Sequence, residues 1–312
     1  MPVRDAVTIL TMPRSLGTLA CAMLGQHPQM YGILETRLYE VETVDEWWNF
    51  ERKRGKTPGG LLRDVAEIIF GDQSEGTVER TRRWLWRRRT WPTVDILQAL
   101  ASSVSPLRLV EKNPIPPASD QSIQDSLERR IRCFPQARFL WLVRCPFCYG
   151  RSLEMLQTLK RRRNSRSVDT TPRKFADKNA RQPREDPQAS WLRVNKHIQA
   201  FLKRFPEERC RRIRGEDLLA DPDKHLYELA RWLDLRADSR AIEEMKHPER
   251  SPFACMGPRN ALGGGDGKFF RNPALRPPTP HKHRLSDPVP WREDGKRLND
   301  EVRDLALQFG YQ

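Results

Sequence analysis

A short strand, a tight loop and an immediate helix follow one another over residues 7–24. Where such a loop meets a helix, backbone N–H groups without partners and the positive end of the helix dipole converge. Arg14 adds a fixed positive charge to the loop, and Thr18 is placed to cap the helix and to donate a hydrogen bond to an oxygen. The pattern therefore predicts a turn that binds a phosphate or a sulfate.

The loop lacks the marks of the two common nucleotide-binding loops. A Walker-type loop carries a lysine directly after its second glycine, whereas here the cation, Arg14, precedes Gly17. A dinucleotide fingerprint needs three spaced glycines, and this loop has one. No acidic strand end suggests a magnesium site, so we predict no metal. Considered by itself, the loop is equally compatible with an ordinary strand–turn–helix whose Arg14 is solvated.

Two further blocks accompany the loop, and the three together resemble the sulfotransferases that use 3′-phosphoadenosine 5′-phosphosulfate (PAPS). Residues 13–19 resemble the 5′-phosphosulfate loop of that family. Residues 134–152 resemble its 3′-phosphate block, in which an arginine ends a strand and a serine follows eight residues later, as Arg144 and Ser152 do. Residues 214–222 resemble its Y-E-D-L-x-x-D-P turn. The donor-binding residues that this resemblance implies are Arg14, Ser15, Leu16, Gly17, Thr18, Leu19, Arg144 and Ser152.

Four positions depart from the pattern of that family. Leu16 stands where the family usually has glycine, and Gly17 stands where it has its first threonine, so one hydroxyl contact is lost. Gly215 replaces the usual tyrosine of the third block, and Cys145 replaces the usual aspartate after Arg144. These departures leave the expected fold unchanged, and the sequence leaves open whether they weaken binding of the donor.

Short β-rich runs alternate with helical patterns along the chain. This alternation predicts an α/β fold, with a single P-loop-like three-layer domain over 1–312 and a central parallel sheet flanked by helices. The expected strands are 6–11, 30–34, 107–111, 138–143 and 209–214; the expected helices are 18–27, 37–53, 58–70, 74–89, 93–103, 119–133, 147–162, 187–205, 222–234 and 238–246. The basic, proline-broken stretch 161–186 predicts a mobile loop, and the Pro/Gly-rich stretch 251–291 predicts an irregular segment that wraps the domain.

The residues after the first helix suggest the acceptor side. A His27-Pro28 helix end followed by Glu35-Thr36-Arg37 resembles the tyrosylprotein sulfotransferases and their bacterial relatives. The resemblance implies that Glu35 is the general base that takes the proton of the acceptor hydroxyl. A carboxylate at a strand end, beside a phosphate loop, lies within reach of both donor and acceptor. The alternative is a Glu35 that only pairs with Arg37.

Lys112 provides a matching cation, because it follows a predicted strand and resembles the K-[DTN]-P strand end of the same relatives. Sulfuryl transfer, like phosphoryl transfer, has a loose in-line transition state, so a protein mainly positions groups and neutralises leaving-group charge. Lys112 and Arg14 are the expected catalytic cations. Glu111, one residue before Lys112, is the competing candidate for the base.

The C-terminal stretches 247–260 and 263–269 resemble bacterial sulfotransferases of polyketide and nonribosomal-peptide assembly. This implies, as acceptor, a hydroxyl on a small metabolite or on an intermediate bound to a carrier protein, with protein tyrosine as the alternative. Residues 263–268 are expected to form a flexible lid with Arg259 or Lys268 as a late donor contact, or else a plain surface loop.

Composition agrees with an anionic ligand. The formal net charge of +15 favours nucleic acid, acidic lipid or an anionic nucleotide as partner. The sequence contains no run of 18 apolar residues, so we expect no membrane span. We also expect no signal peptide, because the first predicted strand begins by residue 7. Six cysteines at low density favour a reducing cytoplasm.

Two motifs suggest other classes of function. Cys145-Pro146-Phe147-Cys148 lies between a predicted strand and a predicted helix, which is the layout of a thioredoxin-like redox motif. Residues 79–89 interleave arginine with tryptophan, and residues 160–163 are basic, as in some nucleic-acid-binding proteins. We favour an amphipathic helix for 79–89, because no nucleic-acid-binding motif accompanies the charge.

Overall fold

Five strands form one sheet in the computed structural model, which describes residues 5–54, 58–166, 185–278 and 283–312. The strands are β1 (Val7–Leu10), β2 (Met30–Gly32), β3 (Arg108–Glu111), β4 (Arg138–Val143) and β5 (Cys210–Arg214). They lie in the order β2-β3-β1-β4-β5, and every pairing is parallel. The predicted α/β fold with a central parallel sheet is confirmed.

The strand order fixes where a site can form. Val7 of β1 pairs with Val110 of β3 on one side and with Arg138 of β4 on the other. After β1, the chain forms β2 and β3 on one side of it and then β4 and β5 on the other side. The direction in which strands are added to the sheet therefore reverses at β1. In open α/β sheets, ligands bind in the crevice outside the carboxyl ends of the strands at such a reversal. The segments after β1, β2, β3 and β4 all emerge at this edge.

Helices cover both faces of the sheet. They are α1 (Gly17–Gly25), α2 (Val44–Lys53), α3 (Gly60–Phe70), α4 (Glu75–Trp86), α5 (Thr93–Ser103), α6 (Asp120–Cys133), α7 (Pro146–Arg166), α8 (Pro187–Leu202), α9 (Gly215–Ala220), α10 (Pro222–Trp232), α11 (Ser239–Met245), α12 (Gly267–Arg271) and α13 (Asp300–Gln308). Helices α9, α12 and α13 were not anticipated from the sequence. Two of these three have fewer than two turns, too short for a clear apolar period.

The single helix expected over 37–53 is wrong. A 3-10 turn covers Leu38–Glu40, and α2 begins only at Val44. The reason is a capping box at Thr43: its Oγ1 accepts from the Glu46 N–H at 3.3 Å, and the Glu46 carboxylate accepts from the Thr43 N–H at 3.4 Å. This reciprocal pair starts a new helix where the apolar pattern continued unbroken.

The loop expected over 161–186 is wrong at both ends. Helix α7 continues through Arg166, and Asp186 caps α8 by accepting from the Gln188 N–H at 3.1 Å. The remainder, 167–184, lies outside the described residues. In the described part of 251–291, the helical elements are a 3-10 turn at Arg259–Ala261 and α12.

Helix α4 carries the arginine–tryptophan stretch. Its inner face buries Val78, Thr81 and Leu85. Guanidinium groups of the chain itself lie over two of the rings: Arg88 lies 3.9 Å from the ring centroid of Trp84, and Arg89 lies 5.0 Å from that of Trp86, which remains 57% exposed. Such stacking of arginine on tryptophan stabilises an exposed helix face. The arrangement is the amphipathic helix favoured from the sequence.

Helix α3 fixes the path of the chain after β2. Its Asp64 is fully buried and accepts a hydrogen bond from the Leu34 N–H at 3.0 Å, immediately before Glu35. Burial raises the pKa of the Asp64 carboxyl to about 8. At neutral pH the folded protein therefore holds a proton on Asp64 that the unfolded chain has lost.

This difference predicts a pH dependence of stability. Because the folded-state pKa lies above the unfolded one, the free energy of unfolding should fall as pH rises from about 4 to about 8. Asp64→Asn, which removes the titration, should flatten this fall in urea unfolding measured at several pH values. The exposed Asp304→Asn is the control and should follow the native curve; equal slopes for all three proteins would contradict the prediction.

Candidate active site

The loop after β1 has an unusual backbone. Arg14 and Leu16 both adopt left-handed conformations, with φ of 70° and 64°, a region that favours glycine over residues with a side chain. Helix α1 begins at Gly17 directly after them. A Cβ atom on Gly17 would lie 2.8 Å from the Lys112 side chain, so glycine here allows Lys112 to pass against the loop.

Thr18 does not cap the helix, contrary to expectation. The N-cap residue is Leu16, and no side chain caps α1. The Thr18 hydroxyl instead accepts from Lys112 Nζ at 3.0 Å and from the backbone N–H of Asp266 at 3.2 Å. The N-terminus of α1 thus keeps backbone donors that no side chain of its own satisfies.

Two of the residues that depart from the family pattern, Leu16 and Gly215, are neighbours in space. A Cβ atom on Gly215 would lie 2.8 Å from Leu16 Cδ1. Gly215 is the first residue of α9, and its missing side chain leaves the space that the Leu16 side chain fills. The extra side chain in the loop and the missing side chain in the third block therefore compensate each other sterically.

The two predicted donor-binding blocks meet at the loop. Arg144 Nη1 donates a hydrogen bond to the carbonyl oxygen of Arg14, and Arg14 Nε donates to Ser152 Oγ at 3.1 Å. These residues border a cleft of about 520 Å³. Ser15, Leu16, Gly17, Thr18, Leu19 and Lys268 also line it, whereas Arg259, the other candidate for a late donor contact, does not. Residues from widely separated parts of the chain thus form one basic cleft.

Glu35 lies at the same edge, between two cations. One carboxylate oxygen contacts Lys112 Nζ and the other accepts from Arg37 Nη2 at 3.3 Å. The Glu35 backbone N–H donates to the Gly264 carbonyl at 2.8 Å. Only 12% of the Glu35 side chain and 5% of the Lys112 side chain are exposed. The carboxylate is therefore held in a fixed position with access to the cleft.

The competing carboxylate, Glu111, lies elsewhere. It is fully buried in the core, and its Oε2 accepts from Asn113 Nδ2 at 2.9 Å. Burial raises the pKa of this carboxyl. Asn113 Oδ1 in turn accepts from the Arg37 N–H at 2.6 Å. Glu111 therefore supports the segment that carries Glu35, and the structure places Glu35 alone of the two at the cleft.

The segment after residue 262 reaches into the cleft. Asp266 Oδ2 lies 3.1 Å from Arg14 Nη1, so a carboxylate of the same chain forms an ion pair with the guanidinium group of the anion-binding loop. Lys268 lines the cleft, and its Nζ lies 3.3 Å from Met155 Sδ. Sequence reasoning did not single out Asp266. Its partners Thr18 and Arg14 are about 250 residues away, and no local pattern marks such a contact.

A second cavity of about 140 Å³ adjoins the cleft at Glu35. Arg37, Glu51 and Arg54 line it with the glycines 59–60 and 263–265. Glu51 pairs with Arg54 at 2.9 Å and with Arg37 at 3.9 Å. The carboxylate of Glu35 thus separates a large basic cleft from a small polar cavity.

The family model of the sulfotransferase family matches residues 6–239. The chain belongs to the sulfotransferase family. The relationship inferred from the three sequence blocks is confirmed, and the protein is an enzyme of the sulfuryl-transfer class. No protein with a curated description matches the chain.

Solved structures of sulfotransferase domains share the fold of this sulfotransferase. The domain from the curacin biosynthetic pathway is 19% identical over 99% of this chain and 98% of that chain, with a TM-score of 0.67. The domain from the olefin synthase of Synechococcus PCC 7002 is 21% identical over 99% and 95%, with a TM-score of 0.68. At these identities the likeness establishes the fold.

The described residues contain neither a group of metal-binding side chains nor a membrane-spanning helix. Among the residues that the structure describes, no three or more His, Cys, Asp or Glu side chains are grouped so as to hold a metal ion. Within the same ranges, no helix of this sulfotransferase has the length and apolar character needed to cross a membrane.

The contact between Leu16 and Gly215 gives a test of steric compensation. Gly215→Ala should destabilise the protein by about 1 kcal/mol, since the added methyl group meets Leu16. In a Leu16→Ala background the same change should be neutral or stabilising, because alanine favours the helix more than glycine does. Urea unfolding of the double-mutant cycle measures this coupling.

Gly76→Ala in α4 is the matched control, since the nearest atom to an added Cβ there is 4.0 Å away. It should have the same effect with either residue at position 16. Additive effects of Gly215→Ala and Leu16→Ala would show that the two positions do not compensate.

Proposed function

We propose that this sulfotransferase transfers a sulfuryl group from PAPS to a hydroxyl of a small metabolite, or of an intermediate bound to a carrier protein, and releases 3′-phosphoadenosine 5′-phosphate (PAP). The observation that carries the proposal is the meeting of Arg14, Arg144 and Ser152 at one cleft. PAPS carries anionic groups at both the 5′ and the 3′ positions of one nucleoside. A single cleft with two adjacent cationic sites suits such a ligand.

In this proposal the loop of 14–19 binds the 5′-phosphosulfate. The backbone N–H groups at the start of α1 and the helix dipole favour an anion there. Arg144 and Ser152 bind the 3′-phosphate, and Lys268, which lines the same cleft from the C-terminal segment, contributes a further positive charge. Arg14 must then exchange its contact with Asp266 for one with the donor.

The positions of Glu35 and Lys112 support the following course of the transfer. Glu35 takes the proton of the acceptor hydroxyl while that oxygen attacks the sulfur atom. The bond between sulfur and the bridging oxygen breaks, and its electron pair leaves with PAP. Lys112 contacts both Glu35 and Thr18, so this cation, together with Arg14, is near the loop where the leaving charge develops.

The small cavity beside Glu35 supports a polar acceptor. Its volume of about 140 Å³ admits only a small part of a molecule, and Arg37 and Arg54 line it. Both guanidinium groups pair with Glu35 or Glu51, and their remaining N–H groups can bond to an acceptor whose hydroxyl is next to a carbonyl or carboxylate group. The named origins of the two similar domains, a biosynthetic pathway and a synthase, agree with a metabolite or carrier-bound acceptor.

Binding of PAP tests the donor assignment. Arg144→Ala should weaken PAP binding about 10- to 100-fold in isothermal titration calorimetry, because a charge-assisted hydrogen bond to the 3′-phosphate is lost. The same change should leave the weaker binding of adenosine 5′-phosphosulfate nearly unchanged, since that nucleotide lacks the 3′-phosphate. Arg303→Ala, on the surface of α13, is the control for charge. Equal affinity of the native protein for the two nucleotides would contradict the assignment of Arg144 and Ser152.

Turnover tests the base. Glu35→Gln should preserve PAP affinity and lower transfer of labelled sulfate about 10²- to 10⁴-fold, the usual contribution of a positioned general base. Lys112→Ala should also lower turnover, through lost stabilisation of leaving-group charge. The acceptor panel should include 2- and 3-hydroxy acids, carrier-bound hydroxyacyl groups and a tyrosine peptide.

Glu111→Gln is the comparison variant, because it alters the neighbouring carboxylate in the core. It should lower stability more than turnover. Near-native turnover of Glu35→Gln, together with an inactive but folded Glu111→Gln, would move the base to the other strand.

A further inference from the structure

Two thiols beside the proposed 3′-phosphate site have no part in the proposed transfer. Cys145 follows Arg144 directly and is fully buried, whereas Cys148 is partly exposed and lines the large cleft. Cys148 is the third residue of α7, and Ser152 lies one turn further along this helix. Residues four apart on a helix share one face. The sulfur of Cys148 and the hydroxyl of Ser152 therefore border the same part of the cleft.

The surroundings of Cys148 favour a thiolate. A hydrogen bond from the Cys145 thiol, together with the charges of Arg144 and Arg151, lowers the pKa of Cys148 to about 7. The N-terminal end of α7 acts in the same direction. Burial has the opposite effect on Cys145 and raises the pKa of its thiol. The pair thus consists of one accessible nucleophile and one protected thiol within hydrogen-bond distance.

We propose that Cys148 is a redox-sensitive thiol whose oxidation and occupation of the cleft by the donor nucleotide exclude each other, with Cys145 as its resolving partner. The inference rests on the proposed function in one respect, the identity of the nucleotide. It gives the C-x-x-C motif a role within a sulfotransferase, as a modification site in the donor cleft. The oxidant class is a hydroperoxide.

The reaction balances in two steps. The Cys148 thiolate attacks one oxygen of hydrogen peroxide, and the O–O bond breaks. This gives a sulfenic acid on Cys148 and a hydroxide ion, which takes up a proton and leaves as water. The sulfur of Cys145 then attacks that of Cys148, the S–O bond breaks, and the proton of Cys145 leaves with the hydroxyl group as a second water. Two thiols and one peroxide give one disulfide and two waters. A dithiol reductant reverses the result by thiol–disulfide exchange.

The exclusion follows from the shared space and the shared charge. A phosphate bound by Arg144 and Ser152 covers the cleft side of Cys148 and places negative charge beside it. The charge disfavours the thiolate, and the phosphate blocks the approach of an oxidant. Conversely, an oxygen or a thiol adduct on Cys148 fills space that the phosphate needs. Because the two states compete for the same space, the nucleotide disfavours the oxidised thiol at equilibrium, and linkage then requires that it binds the oxidised protein more weakly by the same factor.

The test uses the full-length protein with Cys255→Ser, which removes an exposed thiol elsewhere. Iodoacetamide labels the thiols, and peptide mass spectrometry follows each cysteine separately. PAP at about 100 times its dissociation constant should slow labelling of Cys148 about 100-fold. Labelling of Cys210, which is remote from the cleft, should not change. Hydrogen peroxide should join Cys145 to Cys148, with a loss of two hydrogen atoms that dithiothreitol reverses.

A second variant separates the two thiols. In Cys145→Ser, peroxide should leave Cys148 as a sulfenic acid, which dimedone traps, and no disulfide should form. If this variant does not fold, the disulfide mapped in the protein with native Cys145 answers the same question. PAP binding after peroxide treatment, measured by calorimetry, should be at least about tenfold weaker and should return after reduction.

The outcomes distinguish this inference from the proposed function. PAP that binds the protein but leaves Cys148 labelling unchanged would overturn the exclusion alone, as would peroxide that fails to join the two cysteines. A failure of PAP to bind the reduced protein would overturn both the exclusion and the proposed donor. In that case a disulfide that still forms would show that the failure lies in the nucleotide and not in the thiol pair.

Discussion

The contact of Lys112 with Glu35 and Thr18 determines much of the local sequence. It joins the ends of β2 and β3 to the first turn of α1 in the partly buried site. A side chain at position 17 would clash with the methylene groups of Lys112, so the contact requires glycine there. The segment that carries Glu35 is held from three sides, by Asp64 through Leu34, by Gly264 and by Asn113. A carboxylate and an ammonium group removed from water need such fixed geometry to be tolerated.

Most of the sheet could be predicted from the sequence, because the signals of its strands are local, and the loop of 14–19 and the block of 144–152 do meet at one cleft. Short apolar runs mark strands such as β1 and β4, and the parallel order brings the strand ends together. Contacts made by the C-terminal segment could not be predicted in this way: Asp266 reaches Arg14 across nearly the whole chain. The break between the 3-10 turn at 38–40 and α2 was also missed, since hydrogen bonds of Thr43 and Glu46 override a continuous apolar pattern.

The departures from the family pattern at Leu16 and Gly215 have a common structural explanation. Leucine at position 16 would be difficult beside a bulky residue at position 215, and glycine at 215 would leave a gap beside a bare loop. The left-handed backbone at Leu16 carries a small conformational cost, and packing of its side chain offsets that cost. Two substitutions that look like losses in the sequence thus form one packed contact.

The ion pair between Asp266 and Arg14 has a consequence for selectivity. A carboxylate that belongs to the same chain is always present at a high effective concentration, so it competes with any anion that diffuses in. Chloride, acetate or free sulfate offers a single contact and gains little over the tethered group. A nucleotide that also engages a second cationic site can displace it. In the proposed function, the ion pair therefore favours a ligand with two anionic groups over one with a single anionic group.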